Sequence, residues 1–546
     1  MTRSNRAAPL AAILLVGGVA SRLSAQTATP IIDTIVVINH NIFDDNDLAT
    51  LPYVARFANA LHIKTHASVI RRTILLNQGE PYDSARAVES ERALRGLNVF
   101  RQVRVDTVHL HNRLVLRVQT EDGWSTKPQL NYSSSAGSVT WQAGIQEENV
   151  LGTATSLTAL YTKTPDRSSG QFVYFNPHFI ARRPRLAVTY QPLSDGAHWA
   201  WSLGVPFYQT AARRQIGTTG EASSYRVLVF KDYVKGDTAV GKAVDSTQRH
   251  ALRFGLNAGI ALRATSRGYV RLWISGAWRR EDFAPIDSVP PGSAFGTVGV
   301  GFEVAHARFH VLERFNTYAR REDVNLSEYL RVGVWAAPRA WGYPAGQAGA
   351  GLDVSGQVSA LWPGGFIVLN GGAHALYAGT TLDSARVRGG VTIASQNFQY
   401  QTVVVHFEGG ALRHGKPNAF FDTWQDRSGP RLYPAHTFTG TRTVWFTVED
   451  RILVSDQAFG LVGVGLAPYF DWGGAWFGDE PVWPGKADVV LLESMRTGCD
   501  AGISLRLGPT RAVRGDVSEF AVGYRFGAPT RAPRGWALSI LRGVSF

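Results

Sequence analysis

The chain has 546 residues, a formal net charge of +13, 56 glycines, one cysteine and a hydrophobic content of 45%. Its mean hydropathy of −0.09 is too low for a bundle of apolar membrane helices. Many glycines and aromatic residues at moderate hydropathy are instead typical of a transmembrane β-barrel. Polar and apolar residues alternate along the strands of such a barrel, so their contributions cancel in the mean hydropathy. The lone Cys499 excludes an internal disulfide and a cysteine metal site.

Residues 1–25 have the features of a secretory signal peptide. Arg3 and Arg6 give a basic start, the segment AAPLAAILLVGGVA is apolar, and a small-residue cleavage point follows Ala25. A retained anchor helix is the alternative. After residue 26 no apolar run reaches about 18 residues, so the sequence predicts no transmembrane helix.

The basic residues are spread along the whole chain rather than clustered. An exported barrel has little access to nucleic acid, so we expect no nucleic-acid partner. Two interpretations of the positive charge remain, which are attraction to anionic lipid headgroups and ordinary solvated surface charge.

Residues 30–122 mix strand and helix patterns. The run TIVVIN is strand-like, HASVIRRTILL and DSARAVESERALRGL have helical spacing, and VFRQVRV and RLVLRVQ are strand-like again. The turn QGEPYD, with Gly79, Pro81, Tyr82 and Asp83, separates the two helices, and Asp83 is placed to cap the second one. The predicted order is β-α-α-β-β.

This pattern resembles a known periplasmic module. The stretch VIRRTILLNQGEPYDSARAVESERALRGLNVFRQVRV, residues 69–105, is similar to the POTRA domain of the BamA/TamA outer-membrane assembly family, which includes the bacterial surface antigen barrels. The resemblance implies a POTRA-like domain over residues 30–122 that lies in the periplasm.

From 125 to 546 helical periodicity disappears and short alternating runs recur between Gly, Pro, Asp and Ser, for example PRLAVTYQP, YVRLWISGAW and QTVVVHFEGGAL. At about 10 residues per strand plus turns, roughly 420 residues predict a 16-stranded transmembrane antiparallel β-barrel, so the fold class is mainly β with a small α+β domain in front. The chain ends on an alternating strand, whose Val544 and Phe546 resemble the C-terminal signal of outer-membrane barrels.

The run LVGVGLAPYFDWGGAW, residues 461–476, separates a bulky apolar face from a face of small residues. The small face contains Gly463, Gly465 and Asp471, and we expect it to line the lumen. A strand gains little from several small residues unless another segment packs closely against them. A water-filled lumen with a solvated carboxylate is the alternative.

Two stretches of the barrel region resemble the same family. YFDWG is similar to its F-x-D-x-G strand signature, and PRLYP, at the start of the stretch that leads into TVWFTVED, is similar to its inward-folded Arg-Gly-Phe/Tyr loop. The resemblance implies a tether across the lumen between the loop and the strands, built from Arg431, Tyr433, Glu449, Asp471 and Gly473.

The resemblance extends to the start of the barrel. In WQAGIQEENVLGTATSLTALY, the residues Asn149, Leu151 and Gly152 match the opening turn of the family's barrel. One position of the loop departs from the family, because Leu432 stands where the family has glycine. That substitution puts the tight backbone of the loop in question.

The resemblance implies a function in the insertion or assembly of outer-membrane proteins, or in protein translocation across the outer membrane. The barrel would lie in the bacterial outer membrane, and its partners would be the surrounding lipid, unfolded outer-membrane or secreted clients, and periplasmic or lipoprotein subunits. The mechanism would use a weak junction between the first and last strands, expected at residues 138–146 and 538–546, whose edge groups can template a strand. A passive pore or a lipid-handling channel of the same architecture is the alternative.

Enzyme signatures are absent from the sequence. It has no H-E-x-x-H zinc motif, no G-x-S-x-G nucleophile motif and no phosphate-binding glycine loop. We therefore expect no catalytic activity, no cofactor and no metal.

Overall fold

The computed structural model describes residues 30–43, 52–111, 113–135, 138–230, 243–284, 293–313, 315–318, 321–343, 347–413, 419–477, 497–510, 517–527 and 534–542. The predicted signal peptide, residues 1–25, and the C-terminal residues Val544 and Phe546 lie outside these ranges.

The N-terminal unit combines three strands with three helices. Its elements are β1 (Ile32–His40), α1 (Pro52–Leu61), α2 (Ala67–Thr73), α3 (Ser84–Arg95), β2 (Phe100–Leu110) and β3 (Arg113–Asp122). The sheet order is β1-β3-β2, with β1 parallel and β2 antiparallel to β3. Helix α1 was not part of the predicted β-α-α-β-β order.

The turn between α2 and α3 joins the helices of the N-terminal unit to the start of β1. Gly79 has φ of 82°, and its N–H donates to the Ile32 carbonyl at 2.8 Å. Pro81 bridges to the residue before β1, and Tyr82 packs against the core. Asp83 caps α3, since its carboxylate accepts the N–H of the second helical residue at 2.9 Å.

A barrel follows that closes with 20 strands within the described residues, so the expected count of 16 is wrong. Its strands in chain order are β4 (Thr126–Ser135), β5 (Ser138–Val150), β6 (Thr155–Lys163), β7 (Ser168–Asn176), β8 (Arg185–Leu193), β9 (Gly196–Val205), β10 (Arg214–Phe230), β11 (Ala243–Thr265), β12 (Gly268–Ala284), β13 (Ser293–His306), β16 (Glu328–Ala337), β17 (Gly349–Trp362), β18 (Gly365–Ala378), β19 (Thr381–Ser395), β20 (Gln401–Arg413), β23 (Arg442–Ala458), β24 (Val462–Trp476), β25 (Gly498–Pro509), β26 (Ser518–Gly527) and β27 (Gly535–Arg542).

Two short sheets lie in the connections. Strands β14 (Phe309–Glu313) and β15 (Arg321–Asn325) form a hairpin between β13 and β16. Strands β21 (Phe421–Asp422) and β22 (Thr439–Gly440) pair inside the connection between β20 and β23. A 3-10 helix, Arg339–Trp341, follows β16.

The error in strand count has a physical cause. Residues 155–205 hold four complete strands, β6 to β9, which are only 9 or 10 residues long. Their turns are also short, so this part of the barrel uses far fewer residues per strand than the average assumed for a barrel of this length.

The outer surface of the barrel is apolar and carries aromatic residues. Along β24 the outward positions include Leu466 and Phe470, which are exposed, while Asp471 next to them is buried toward the lumen. Tyr190 and Trp199 stack on the outside with ring centroids 4.0 Å apart. An apolar outer face with exposed aromatic residues and a polar interior is the arrangement of a barrel that spans a membrane.

The two ends of the barrel differ. The proximal end, defined by the turns at 151–154, 206–213 and 266–267, contacts the N-terminal unit, and the β14–β15 hairpin belongs to it. The distal end carries the β20–β23 connection, whose described part is 419–441. Among the described residues, no helix is long and apolar enough to cross a membrane.

The opening turn of the barrel is the place where the N-terminal unit docks. The Asn149 side chain donates to the Thr65 hydroxyl at 2.9 Å and accepts the Ala154 N–H at 2.9 Å. Leu151 and Gly152 both have positive φ, 51° and 71°. The Gly152 carbonyl accepts the N–H of residue 66 at 2.9 Å, and a Cβ at Gly152 would lie 2.5 Å from a backbone oxygen of the N-terminal unit.

The junction that closes the barrel lies between β27 and β4. The expectation that 138–146 forms the first side of this junction is therefore wrong, because those residues belong to β5 and one more strand precedes them. On its other side β27 pairs with β26.

Candidate functional site

The site lies where the distal loop, residues 419–441, meets the lumen face of β23 to β26. Arg431 donates from Nε to Asp471 Oδ2 at 2.6 Å and from Nη2 to Asp471 Oδ1 at 3.1 Å. It also contacts Glu519 on β26, and it reaches Glu449 on β23 at 3.4 Å. We call Arg431 with these three carboxylates the clasp.

The clasp is buried, and burial determines how strongly its charges depend on one another for stability. Each of the three carboxylate residues is 1% exposed. Charges taken out of water are stable only when they are paired, and a bidentate guanidinium contact is among the strongest pairings. Removing the arginine would therefore leave three carboxylates buried without their shared cation.

Further arginines extend the clasp into a charge network. Arg451 donates to Glu449 Oε1 at 2.8 Å, and Arg506 also donates to Glu449. Arg506 lies 3.9 Å from Glu519 as well. Glu449 is thus shared by three guanidinium groups, which places it at the centre of the network.

An aromatic ring completes the surroundings of Arg431. Its guanidinium carbon lies 3.8 Å from the centroid of the Tyr469 ring. The Thr447 hydroxyl donates to Asp471 Oδ1 at 2.6 Å. The cation is therefore enclosed by carboxylates at its edge and by an aromatic face, two environments that stabilise a buried positive charge.

Leu432, which stands where the resembled loop motif has glycine, has a structural explanation. Its side chain is fully buried, and a Cβ on Gly523 of β26 would lie 2.9 Å from it. Its N–H donates to Asp500 at 3.1 Å. Leu432 is not among the residues with positive φ, so the loop does not need glycine here. The larger side chain instead fills the space over a glycine of the wall.

Tyr433 and Gly473 lie beside the clasp. The Tyr433 hydroxyl donates to the Cys499 carbonyl at 3.0 Å, and its ring lies where a Cβ on Gly498 would be, at 2.6 Å. A Cβ on Gly473 would lie 2.4 Å from the Val444 carbonyl. Small residues in the wall therefore allow both the loop and the neighbouring strand to approach closely.

The same loop has a second anchor on another part of the barrel. His436 Nε2 lies 2.7 Å from Asp166 in the β6–β7 turn, and Nδ1 lies 2.5 Å from Asp422. Burial opposes a charge on this ring, but the two carboxylates outweigh that effect and raise the pKa of His436 to about 9. The imidazole is therefore a cation that joins the loop to the far wall.

The contributors that sequence reasoning missed include Glu519, Asp500 and His436. No local motif marks them, but Glu519 could have been found from strand alternation. In SEFAVGYRF the residues Glu519, Ala521, Gly523 and Arg525 are buried toward the lumen, while the apolar residues between them face outward. Strand alternation could therefore have identified Glu519 as a candidate partner for the loop arginine, because its carboxylate lies on the lumen face of a strand close to β24.

The contacts of the site join a loop to the barrel wall. Within the part of the chain that the structure describes, no group of three or more His, Cys, Asp or Glu side chains could hold a metal ion. The arginine cations already occupy the carboxylates. The arrangement holds a loop inside a barrel and stiffens the wall from β23 to β26.

Fold and site together define a transmembrane β-barrel whose lumen contains a loop clasped to one wall. Neither a protein family nor a curated protein matches the sequence. Solved structures that are similar include BamA from Haemophilus ducreyi lacking POTRA domains 1–3, at 10% identity and a TM-score of 0.39, covering 93% of this chain and 84% of that one.

Two CdiB structures are also similar. CdiB from Acinetobacter baumannii has 9% identity and a TM-score of 0.44, covering 94% of this chain and 73% of that one. CdiB from Escherichia coli has 11% identity and a TM-score of 0.43, covering 95% and 92%. Similarity of this size carries no argument about family or function.

Proposed function

We propose that the protein is an outer-membrane barrel that inserts other barrels into the membrane or moves proteins across it, with the N-terminal unit acting as a POTRA-like periplasmic domain. The observation that carries the proposal is the position of the clasp next to the junction that closes the barrel. The three carboxylates of the clasp lie on β23, β24 and β26, and β27, which closes the barrel against β4, pairs with β26.

The position of the clasp supplies a physical mechanism, because the clasp stiffens the wall beside the junction. Strands at an open junction present unpaired backbone N–H and C=O groups, and these groups can pair with an incoming strand. Because β26 is held through Glu519, strain at the junction would open β27 from β4 before it distorts the wall. The mechanism needs no cofactor and no bond-breaking step.

The proposed partners follow from the geometry. The outward apolar face contacts lipid, the junction receives an unfolded client, and the N-terminal unit offers the outer edge of β2 and its helices on the proximal side. Periplasmic or lipoprotein subunits would bind there as well. A passive pore is less well supported, because the distal loop and the proximal hairpin both occupy the lumen.

The test is client dependence. Purified protein in liposomes should accelerate the folding of an unfolded outer-membrane barrel, read from heat-modifiable gel mobility of the client. Depletion in the native cell should lower the amounts of other outer-membrane barrels or of a secreted protein. If client levels and folding rates are the same with and without the protein, the proposal is wrong.

A further inference from the structure

Six exposed arginines lie in one sector of the proximal end, although they come from four places in the chain. They are Arg213 and Arg214 around the start of β10, Arg263 near the end of β11, Arg267 in the turn before β12, and Arg71 and Arg72 on α2. Within the part of the chain that the structure describes, none of the six forms an ion pair. We call these six residues the basic rim.

The barrel wall beside the basic rim has no acidic residue to balance this charge. Residues 196–220 and 246–280 contain no Asp and no Glu. These ranges hold β9, the first part of β10, and most of β11 and β12. The clasp differs, because there each arginine lies against a carboxylate. An exposed group of arginines without local compensation gives a positive surface potential, which attracts an anionic partner.

A β-bulge near the end of β11 turns one arginine of the rim toward the outside of the barrel. The pairing of β11 with β12 shifts register between Ala261 and Arg263. Leu262 is exposed on the outer face. After the shift Arg263 lies opposite Val270, which by strand alternation faces the same side as the exposed Leu272. Leu262 and Arg263, although adjacent, therefore both face outward, as a bulge allows.

The outer surface changes from charged to apolar within about two residues of the rim. Arg214 on β10 lies opposite Ile260 on β11, and Ile216 follows on the same face of β10. Ile216, Ile260 and Leu262 are all exposed on the outer face. Long cationic side chains at the edge of an apolar band can reach the headgroup region while their neighbours contact acyl chains. A soluble acidic partner would have to contact these apolar residues as well.

The positive potential continues from the barrel to the N-terminal unit. In the turn between β7 and β8, Arg182 donates from Nε to the carbonyl of Arg72 at 3.0 Å, which holds α2 beside the barrel. Burial, together with the nearby guanidinium groups of Arg72, Arg183 and Arg185, lowers the pKa of His178 in the same turn, although its ring donates to the Arg182 carbonyl. The basic rim is thus one continuous surface.

We propose that the basic rim binds the phosphate groups of anionic phospholipids in the leaflet next to the proximal end. The guanidinium groups of Arg214 and Arg263 donate to the phosphates, a geometry that arginine favours. The apolar residues beside them contact the acyl chains of the same lipids. The arginines of α2 hold the N-terminal unit near that leaflet. This contact rests on the proposed location of the barrel in a membrane, and it adds the lipid class that one sector of the barrel selects.

Quenching of a local fluorophore by nitroxide-labelled lipids tests the binding. Ile216→Cys in a Cys499→Ser background takes a single thiol-reactive fluorophore, since the chain has one cysteine. The full chain is reconstituted in phosphatidylcholine vesicles that contain nitroxide-labelled phosphatidylglycerol or nitroxide-labelled phosphatidylcholine. We expect half-maximal quenching at a several-fold lower mole fraction of the phosphatidylglycerol. The same fluorophore on Leu369→Cys, on the outer face of β18, should show a much smaller difference.

Variants of equal charge show which arginines select the lipid. Arg214→Gln with Arg263→Gln should make the two lipids quench nearly equally at the Ile216→Cys fluorophore, whereas the corresponding lysine variants should keep part of the preference because they keep the charge. Arg339→Gln with Arg442→Gln is the matched control, because it removes two exposed arginines at the distal end. That control should keep the preference of the wild type. Folded fraction is read from heat-modifiable mobility.

Salt keeps the test decisive if a variant folds poorly. With the rim intact, raising the salt concentration from about 0.05 to about 0.5 M should remove the preference, because the screening length shortens about threefold. Equal quenching by the two lipids at low salt would overturn the proposal. Full preference in Arg214→Gln with Arg263→Gln would overturn it too, and would leave the rim to another partner such as an acidic protein surface. The vesicles contain no client, so failure here is distinguishable from failure of the client assay.

Discussion

The two segments that enter the lumen are held by different physics. The distal loop depends on charge, because Arg431 is enclosed by three buried carboxylates. The proximal hairpin depends on shape, because Phe315 fills an apolar pocket and Tyr318 lies on glycines. A charge clasp loses its stability when one partner is removed, whereas a shape-based seat loses it in proportion to the volume removed.

The two segments nevertheless meet on one wall. Arg451 bonds both Glu449 of the clasp and the Phe315 carbonyl of the hairpin. Arg506 bonds Glu449 with its side chain and accepts the Tyr318 hydroxyl with its carbonyl. Loss of the contacts of the distal loop should therefore also weaken the packing of the proximal hairpin.

The largest expected effect is that of Arg431→Ala. Removing one member of a buried, hydrogen-bonded charge group costs about 3–5 kcal/mol, because Asp471, Glu449 and Glu519 lose their common cation. Urea unfolding in detergent micelles, followed by heat-modifiable mobility, measures the change. Arg117→Ala, in a partly exposed pair, should cost much less, because solvent screens that pair; equal effects would show that the clasp has no special role.

Leu432 provides a shape-dependent test within the charge-held loop. Leu432→Ala should cost about 2–4 kcal/mol, since it opens a cavity over Gly523. Leu432→Gly, which introduces the residue of the family that the loop resembles, should also lower stability, because it removes the whole side chain that packs over Gly523. Leu466→Ala on the lipid face of β24 is the matched leucine control, and an equal loss there would contradict the packing explanation.

The second anchor of the loop should depend on pH in a defined direction. The pKa of His436 is raised from 6.5 to about 9, so its contribution is fully present below the unfolded pKa and is lost as pH rises through about 9. Protease protection of the loop should fall between neutral pH and about pH 10. His436→Gln should be less protected at neutral pH and insensitive to this rise; an unchanged pH profile in that variant would contradict the assignment.

The smallest expected effect is that of Tyr318→Phe, which tests the hydroxyl group of Tyr318 separately from its ring. Tyr318→Phe loses the hydrogen bond to the Arg506 carbonyl, worth about 1 kcal/mol, but keeps the ring on its glycine bed. The free energy of unfolding should fall slightly for Tyr318→Phe, whereas Tyr318→Ala should lower it several times more, because it leaves the space above the glycines empty. If Phe and Ala behave alike, the seat depends on the hydroxyl and not on shape.

Local sequence explains part of the site. The alternation in YFDWGG predicted that Asp471 faces the lumen, whereas Glu449 was named through the family resemblance. The alternation in TVWFTVED agrees with the buried position of Glu449. Such assignments need only the two-residue period of a strand. Contacts between distant segments are different, since nothing local in SEFAVGYRF indicates that Glu519 lies beside Arg431.

The remaining differences between the sequence-based predictions and the structure arise from packing between distant parts of the chain. The glycines at 463 and 465 indicated that some segment packs on β24, but its identity, Tyr318, is 145 or more residues away in the chain. Strand number also escaped prediction, because it depends on turn lengths such as those between β6 and β9. The interpretation of Leu432 as a disturbance failed to anticipate Gly523, which provides the space for it.

The most direct test of the account is a double-mutant cycle between the two insertions. Unfolding free energies of Arg431→Ala, Tyr318→Ala and the double variant are measured against wild type. If both insertions are joined through Glu449, Arg451 and Arg506, the cycle should give a coupling of about 0.5–3 kcal/mol. Additive effects would contradict the account, because they would mean that loop and hairpin occupy the lumen independently.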